Sequence, residues 1–260
     1  MTAATAREGG FDPEQRAAFR ELLQIFALHV EKHIANRVSR NVLDVYLGSV
    51  AGKKVLSGAI DRGAGEAIHA VIWVSDMRGF TKFSDNLPAP AVLALLNAYF
   101  ERVAGAVLDH GGEVLKFIGD GLLAVFPFKG DESPSTVVER GLSAAMQALS
   151  AVEGLNADPP PELMDALAIG PIRSGIALHG GDVFFGNMGT SDRFDFTVIG
   201  RAVNEASRVE ALTKTLGRAI VLTSAVAKHV SRPLDDLGAH ALRGLAEPMR
   251  LFSPSEADDP

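Results

Sequence analysis

The chain has 260 residues, 47% of them hydrophobic, enough for one sizeable packed domain plus an appendage. Its 25 Lys and Arg against 32 Asp and Glu leave a formal net charge of -7, which disfavours nonspecific binding to nucleic acid or anionic lipid and leaves any polyphosphate ligand in need of metal ions. With no cysteine, disulfides, thiolate metal sites and cysteine nucleophiles are excluded, and a reducing cytoplasm fits.

The opening MTAATAREGG lacks a basic region followed by an apolar run, and no stretch approaches the roughly 18 apolar residues of a bilayer span. A soluble chain without a direct membrane span, complete or part of a longer polypeptide, is expected. Residues 12 to about 47 read as a helix: Asp12 can cap, Pro13 suits the first helical position and Gln15 completes a capping-box spacing. Phe19, Leu22, Phe26, Val30, Ile34 and Val38 recur every three to four residues, and that stripe packs either on its own domain or on a second helix in a dimer. Residues 1–48 thus form a helical regulatory or dimerisation segment. The turn-rich residues 49–68 read as a connector with a short strand at VLSGAI.

The main domain follows, over residues 69–253. HAVIWVSDM is a nearly unbroken apolar run, the pattern of a central strand covered on both faces. A helix is expected from about Pro90 to His110, and GGEVLKFIGDGLLAVF supplies a hairpin about an Asp-Gly turn. Residues 135–154 form a second amphipathic helix. RSGIALHGGDVFFGNMG reads as another hairpin around Gly180 and Gly181, RFDFTVI as a strand, and RAVNEASRVEALTKTL as a third helix. AIVLTS, a short helix and ALRGLAEPMRLF close the domain, and residues 254–260 form a frayed, disordered tail. This order predicts an α+β sandwich, helices over a largely antiparallel sheet, close to a ferredoxin-like split βαβ arrangement.

Several polar groups interrupt these apolar elements. Asp76 ends the central strand before Met77, Arg78, Gly79, Phe80 and Thr81, where a carboxylate and open backbone amides can hold a metal and a phosphate together, or the Asp can simply cap the turn. Asp120 sits in the Asp-Gly turn, a conformational signal in its own right. If its hairpin lies beside the Asp76 strand, the two carboxylates leave the same end of the sheet and suit a pair of Mg²⁺ ions. Lys116 lies on the Val114, Lys116, Ile118 face of a regular strand, either directed at a ligand or snorkelling to the edge. Asn204 and Arg208, four apart on a helix, share one face and can reach one ligand or water alone. Thr197 shares a strand face with Asp195 and Ile199. No GxxxxGK[ST] loop, HExxH helix or GxSxG elbow is present, and the seven histidines show no metal-ligand spacing.

Five segments in order, VIWVSDMRGFTKFSD, GGEVLKFIGDGLLAVF, GIALHGGDVFFGNMG, DFTVIGRAVNEASRVEAL and LRGLAEP, closely resemble the catalytic domain of class III nucleotidyl cyclases. The resemblance implies a head-to-tail homodimer with two composite active sites converting ATP to 3′,5′-cyclic AMP and pyrophosphate, each using two Mg²⁺ ions, with Mn²⁺ able to substitute. It matches Asp76 and Asp120 to the metal-binding pair, joined by the Met77 carbonyl, and Phe80 and Thr81 to the phosphate-binding turn. Lys116 and Thr197 match the base-recognition positions, Asn204 the ribose-orienting asparagine and Arg208 the transition-state arginine. An ammonium at Lys116 donates to the acceptor N1 of adenine but meets a hydrogen on guanine N1, while the Thr197 oxygen accepts from the adenine amino group, so ATP is favoured. Thr197 departs from the Asp of many adenylyl cyclases and resembles the bicarbonate-responsive branch, which implies bicarbonate or CO2 as effector. Arg243 stands where many relatives have a triphosphate-binding lysine; the charge is retained on a planar fork. GGEVL superficially resembles the diguanylate cyclase signature, but Lys116 and TVIGRAVNEASR do not belong to it. A noncatalytic nucleotide-binding module and a guanylate cyclase, the latter disfavoured by the Lys116 donor, are the alternative readings, and the chain can be joined to an upstream sensor domain.

Overall fold

The computed structural model describes residues 4, 6, 8–58 and 61–255, which fall into two compact units divided at Gly58. In the first, helix α1 (Pro13–Leu47) begins as its sequence dictates. The Asp12 carboxylate accepts from the Gln15 amide at 2.8 Å, and the Gln15 side chain accepts from the Asp12 amide at 3.1 Å. No residue of α1 is buried; Leu22, Phe26, Val30, Ile34 and Val38 are all exposed. Helix α2 (Ser49–Leu56) packs back on α1, with Gly52 so close that an added Cβ would come within 2.9 Å of the Asp44 carboxylate. The strand expected at VLSGAI is therefore corrected. Val55 and Leu56 finish α2, because packing on α1 overrides local strand preference. Ser57 and Gly58 form a turn, and residues 59 and 60 lie outside the described residues.

The second unit runs β1 (Gly65–Met77), α3 (Phe80–Asn86), α4 (Ala89–Asp109), β2 (Glu113–Ile118), β3 (Gly121–Pro127), α5 (Pro134–Ala157), α6 (Met164–Ile169), β4 (Ser174–Gly189), β5 (Phe194–Ile199), α7 (Arg201–Leu216), β6 (Ile220–Thr223), α8 (Ser224–Ala227), β7 (Leu234–His240) and β8 (Met249–Pro254). The sheet order is β2-β3-β1-β4-β6-β8-β7, with β5 added to β4. Every pairing is antiparallel except β4 with β6, so the α+β sandwich expected from the element order is the fold observed.

Strand alternation assigns the two faces. Val71, Trp73 and Phe126 point to the side covered by α4 and α5, where they join buried Leu95, Tyr99, Val103 and Leu142. Each such side chain contributes about 1.5–3 kcal/mol through burial. Ala177, Val209, Val221 and Leu251 form a smaller core between the opposite face and α7. Helix α4 has 21 residues and is apolar enough by length and composition to cross a membrane, which corrects the sequence reading that no segment approaches such a span. Five of its residues, Leu95, Tyr99, Val103, Ala106 and Val107, are buried in this domain.

The hairpin expected at Gly180-Gly181 is a second correction: β4 runs unbroken for 16 residues. The two glycines face opposite sides of the sheet. A Cβ on Gly181 would approach the Ala202 methyl of α7 to 2.6 Å, and one on Gly180 would sit 3.6 Å from Ala225 of α8. They are small so that helices can approach, and the chain does not turn there. The tail is also shorter than expected. Pro254 ends β8, and Ser255 donates its amide to the Pro233 carbonyl at 3.2 Å and its hydroxyl to Asp235 at 2.8 Å. Residues 256–260 lie outside the described residues.

Candidate active site

Strand pairing brings two carboxylates to one corner. Asp76 stands opposite Gly121 in the β1–β3 register, and the Met77 amide donates to the Asp120 carbonyl at 3.3 Å. Burial, then the like charge of Asp120 and a hydrogen bond between the two side chains, push the Asp76 carboxyl up to about 6. A cation would remove that penalty. Two hard oxygen donors with the Met77 carbonyl beside them fit Mg²⁺ or Mn²⁺. Gly79, in the left-handed conformation at φ 71°, turns the chain into α3, so Phe80 and Thr81 occupy the first turn of a short helix where backbone amides are unpaired within the helix.

Lys116 is placed by an irregularity that the sequence pattern does not reveal. The register jumps from Val114 opposite Ala124 to Lys116 opposite Leu123, so Leu115 is an extra residue in the strand. The bulge puts Lys116 on the opposite face from Val114, a correction to the regular-strand expectation, and Lys116 forms an ion pair with Asp195 of β5. Thr197, two residues further along β5, is buried and stands opposite Gly186.

Helix α7 carries exposed Asn204 and half-buried Arg208. It is fastened to the sheet through a buried pair: His179 Nε2 of β4 lies 3.1 Å from the Glu205 carboxylate, which also accepts from Arg201 Nε at 2.6 Å, and His179 Nδ1 lies 2.9 Å from the Thr223 hydroxyl. The guanidinium of Arg208 reaches the turn between β7 and β8. A Cβ on Gly244 would be 3.4 Å from it, so Arg208 and the neighbour of Arg243 meet, while Arg243 itself is exposed.

Two further groups escaped the sequence reading. Arg78 lays its guanidinium against Gly175 and donates to the Arg218 carbonyl at 3.0 Å. Glu210 of α7 lies within electrostatic reach of Arg78 and Asp76; burial first, then the Asp76 charge, push its carboxyl up to about 7, against the pull of Arg78.

The family model described as the adenylate and guanylate cyclase catalytic domain matches residues 66–249. The chain belongs to this family. An adenylate cyclase of Anabaena cylindrica is 33% identical to the cyclase domain over 174 residues, 67% of this chain and 33% of that protein. A bacterial light-regulated adenylyl cyclase superposes with a TM-score of 0.73 at 27% identity, covering 91% of this chain and 66% of its own. The guanylyl cyclase Cya2 does so with a TM-score of 0.61 at 26% identity, covering 74% and 95%. The cyclase domain spans about a third of the length of the curated relatives it matches.

Proposed function

We propose that the chain is an adenylate cyclase that joins the 3′ oxygen of ATP to its own α-phosphorus, releasing pyrophosphate and the hydroxyl proton. The observation that carries this reading is the corner formed by Asp76 and Asp120 within a cyclase-family domain. Asp76, Asp120 and the Met77 carbonyl would hold two Mg²⁺ ions, or Mn²⁺, whose chemistry is to acidify the 3′ hydroxyl and neutralise the triphosphate. Asn204 fixes the ribose for in-line attack, and Arg208 stabilises charge growing on the α-phosphoryl oxygens. Arg243 and the first turn of α3, with Phe80 and Thr81, hold the remaining phosphates. Lys116 donates to adenine N1 and Thr197 accepts from the amino group, which sets ATP over GTP.

The active unit is a head-to-tail homodimer in which the carboxylate pair of one copy meets Asn204 and Arg208 of the other. The exposed stripe of α1 supports a role in assembly, and an upstream sensor domain would be joined through it. Bicarbonate is a candidate effector on the strength of Thr197, and unchanged activity across added bicarbonate at fixed pH refutes it. The cysteine-free composition supports the cytoplasm as its location.

The test is incubation with ATP or GTP in Mg²⁺ or Mn²⁺ and identification of the product by mass spectrometry. Cyclic AMP and pyrophosphate from ATP support the reading. Cyclic GMP made in preference contradicts the base assignment, and ATP binding without product indicates a noncatalytic nucleotide-binding module.

A further inference from the structure

Arg78 follows Asp76 by two residues and is half-buried, so water screens its charge only in part. Gly175 makes room for it. This glycine is the register partner of Asp76 on β4, and a Cβ there would come within 2.8 Å of the Arg78 guanidinium and 2.5 Å of the Thr213 hydroxyl of α7. The guanidinium and α7 therefore meet over a position that any side chain would obstruct. Beyond it, Arg78 donates to the Arg218 carbonyl at 3.0 Å.

Two carboxylates draw on this one cation. Asp76 ends β1, while Glu210 belongs to α7, where the Thr213 hydroxyl donates to its carboxylate at 3.3 Å and keeps it beside the same glycine. Arg78 attracts both, and the two carboxylates repel each other and Asp120. A packing role for Arg78 accounts for the Arg218 carbonyl but not for the second carboxylate. Three acids around one guanidinium leave a surplus of negative charge that suits divalent ions, and cations bound by Asp76 and Asp120 repel Arg78 while Glu210 attracts it.

We propose that Arg78 is the built-in counter-cation of the metal corner, a positioning residue shared by Asp76 and Glu210 that neutralises Asp76 without divalent ions and turns to Glu210 when they bind. This rests on the reading that Asp76 and Asp120 hold metal. Two effects of opposite sign follow. Arg78 competes with a divalent ion for Asp76, so removing its charge tightens metal binding. Glu210 relieves that competition, so removing its charge weakens metal binding, and most of the weakening depends on Arg78 being present.

The experiment is a Mn²⁺ titration of the full chain at pH 8, above the values to which the Asp76 and Glu210 carboxyls are raised, with the free ion followed by electron paramagnetic resonance. Arg78→Gln is expected to lower the Kd for Mn²⁺ about threefold or more, and Arg78→Lys, which keeps the charge, to stay closer to the parent than that. Glu210→Gln is expected to raise the Kd about threefold or more, by a factor at least about three times larger than the same change produces in the Arg78→Gln background. Melting temperatures check that each variant is folded. No Mn²⁺ binding by the parent, or undiminished binding by Asp76→Ala, overturns the metal corner and this proposal with it. Where both controls hold, a smaller gain in Arg78→Gln, or a Glu210→Gln effect of the same size with and without Arg78, overturns the shared cation alone. If Arg78→Gln does not fold, Glu210→Gln decides, and a smaller rise in its Kd overturns the proposal.

Discussion

The carboxylate of Asp195 on β5 grips the ammonium of Lys116 on β2, tying the cation assigned to adenine recognition to the strand that carries Thr197. Both side chains are partly exposed, so the pair contributes only about 0–1 kcal/mol to stability. Its part under the proposed function is to orient Lys116. Asp195→Ala is expected to leave the melting temperature within a few degrees but to lower the ratio of kcat/KM for ATP over GTP on the order of tenfold, about one charge-assisted hydrogen bond. An unchanged ratio would leave the pair without a part in base selection.

Arg208 is held against Gly244 beside Arg243, and the proposed function directs its charge to the α-phosphoryl oxygens. Arg208→Ala is expected to lower kcat on the order of 100- to 1000-fold with a smaller change in ATP affinity, the signature of an interaction made chiefly in the transition state. Steady-state kinetics alongside binding of a non-hydrolysable ATP analogue separates the two quantities. Near-normal turnover contradicts the role.

Gly181 lets α7 sit close to β4, since a Cβ there would lie 2.6 Å from the Ala202 methyl. Gly181→Ala is expected to destabilise the fold by about 1–3 kcal/mol through overpacking. Because α7 also carries Asn204 and Arg208, turnover should fall more than stability alone explains. Denaturant melts and activity of the folded fraction check both. The compensating variant Ala202→Gly in the same chain should recover much of each loss.

Stability should carry a pH signature from Glu210. Its carboxyl is raised to about 7 from an ordinary 4.5, so the folded state binds more protons than the unfolded one between these values. Its contribution is complete below about 4.5 and is lost as pH rises through about 7. Glu210→Gln, which cannot ionise, should therefore gain in melting temperature relative to the parent on going from pH 5 to pH 8. A constant difference across that range would show that Glu210 does not titrate as its surroundings require.

Much of the fold was legible where one force dominates. The Asp12–Gln15 cap, the helices α4 and α5, the Asp-Gly hairpin and the continuous apolar run of β1 announce themselves locally. Gly180-Gly181 did not, because a glycine pair serves equally for turning and for close helix packing, and only the positions of Ala202 and Ala225 distinguish the two. Lys116 was found as a residue, but its face was not, since the bulge at Leu115 depends on pairing with β3. Asp76 and Asp120 were paired on the condition that the hairpin lies beside the Asp76 strand, and the β1–β3 register meets that condition. Arg78, Asp195 and Glu210 act through contacts 79 to 140 residues distant in sequence or across packed elements, which no local pattern encodes.

The most direct measurement mixes two disabled chains, Asp76→Ala and Arg208→Ala, and assays the mixture for cyclic AMP. Each variant alone should be nearly silent. The mixture should recover activity, because a heterodimer of the two rebuilds one intact site from the carboxylates of one copy and the arginine of the other. Silence in a mixture shown to contain heterodimers would contradict a shared site.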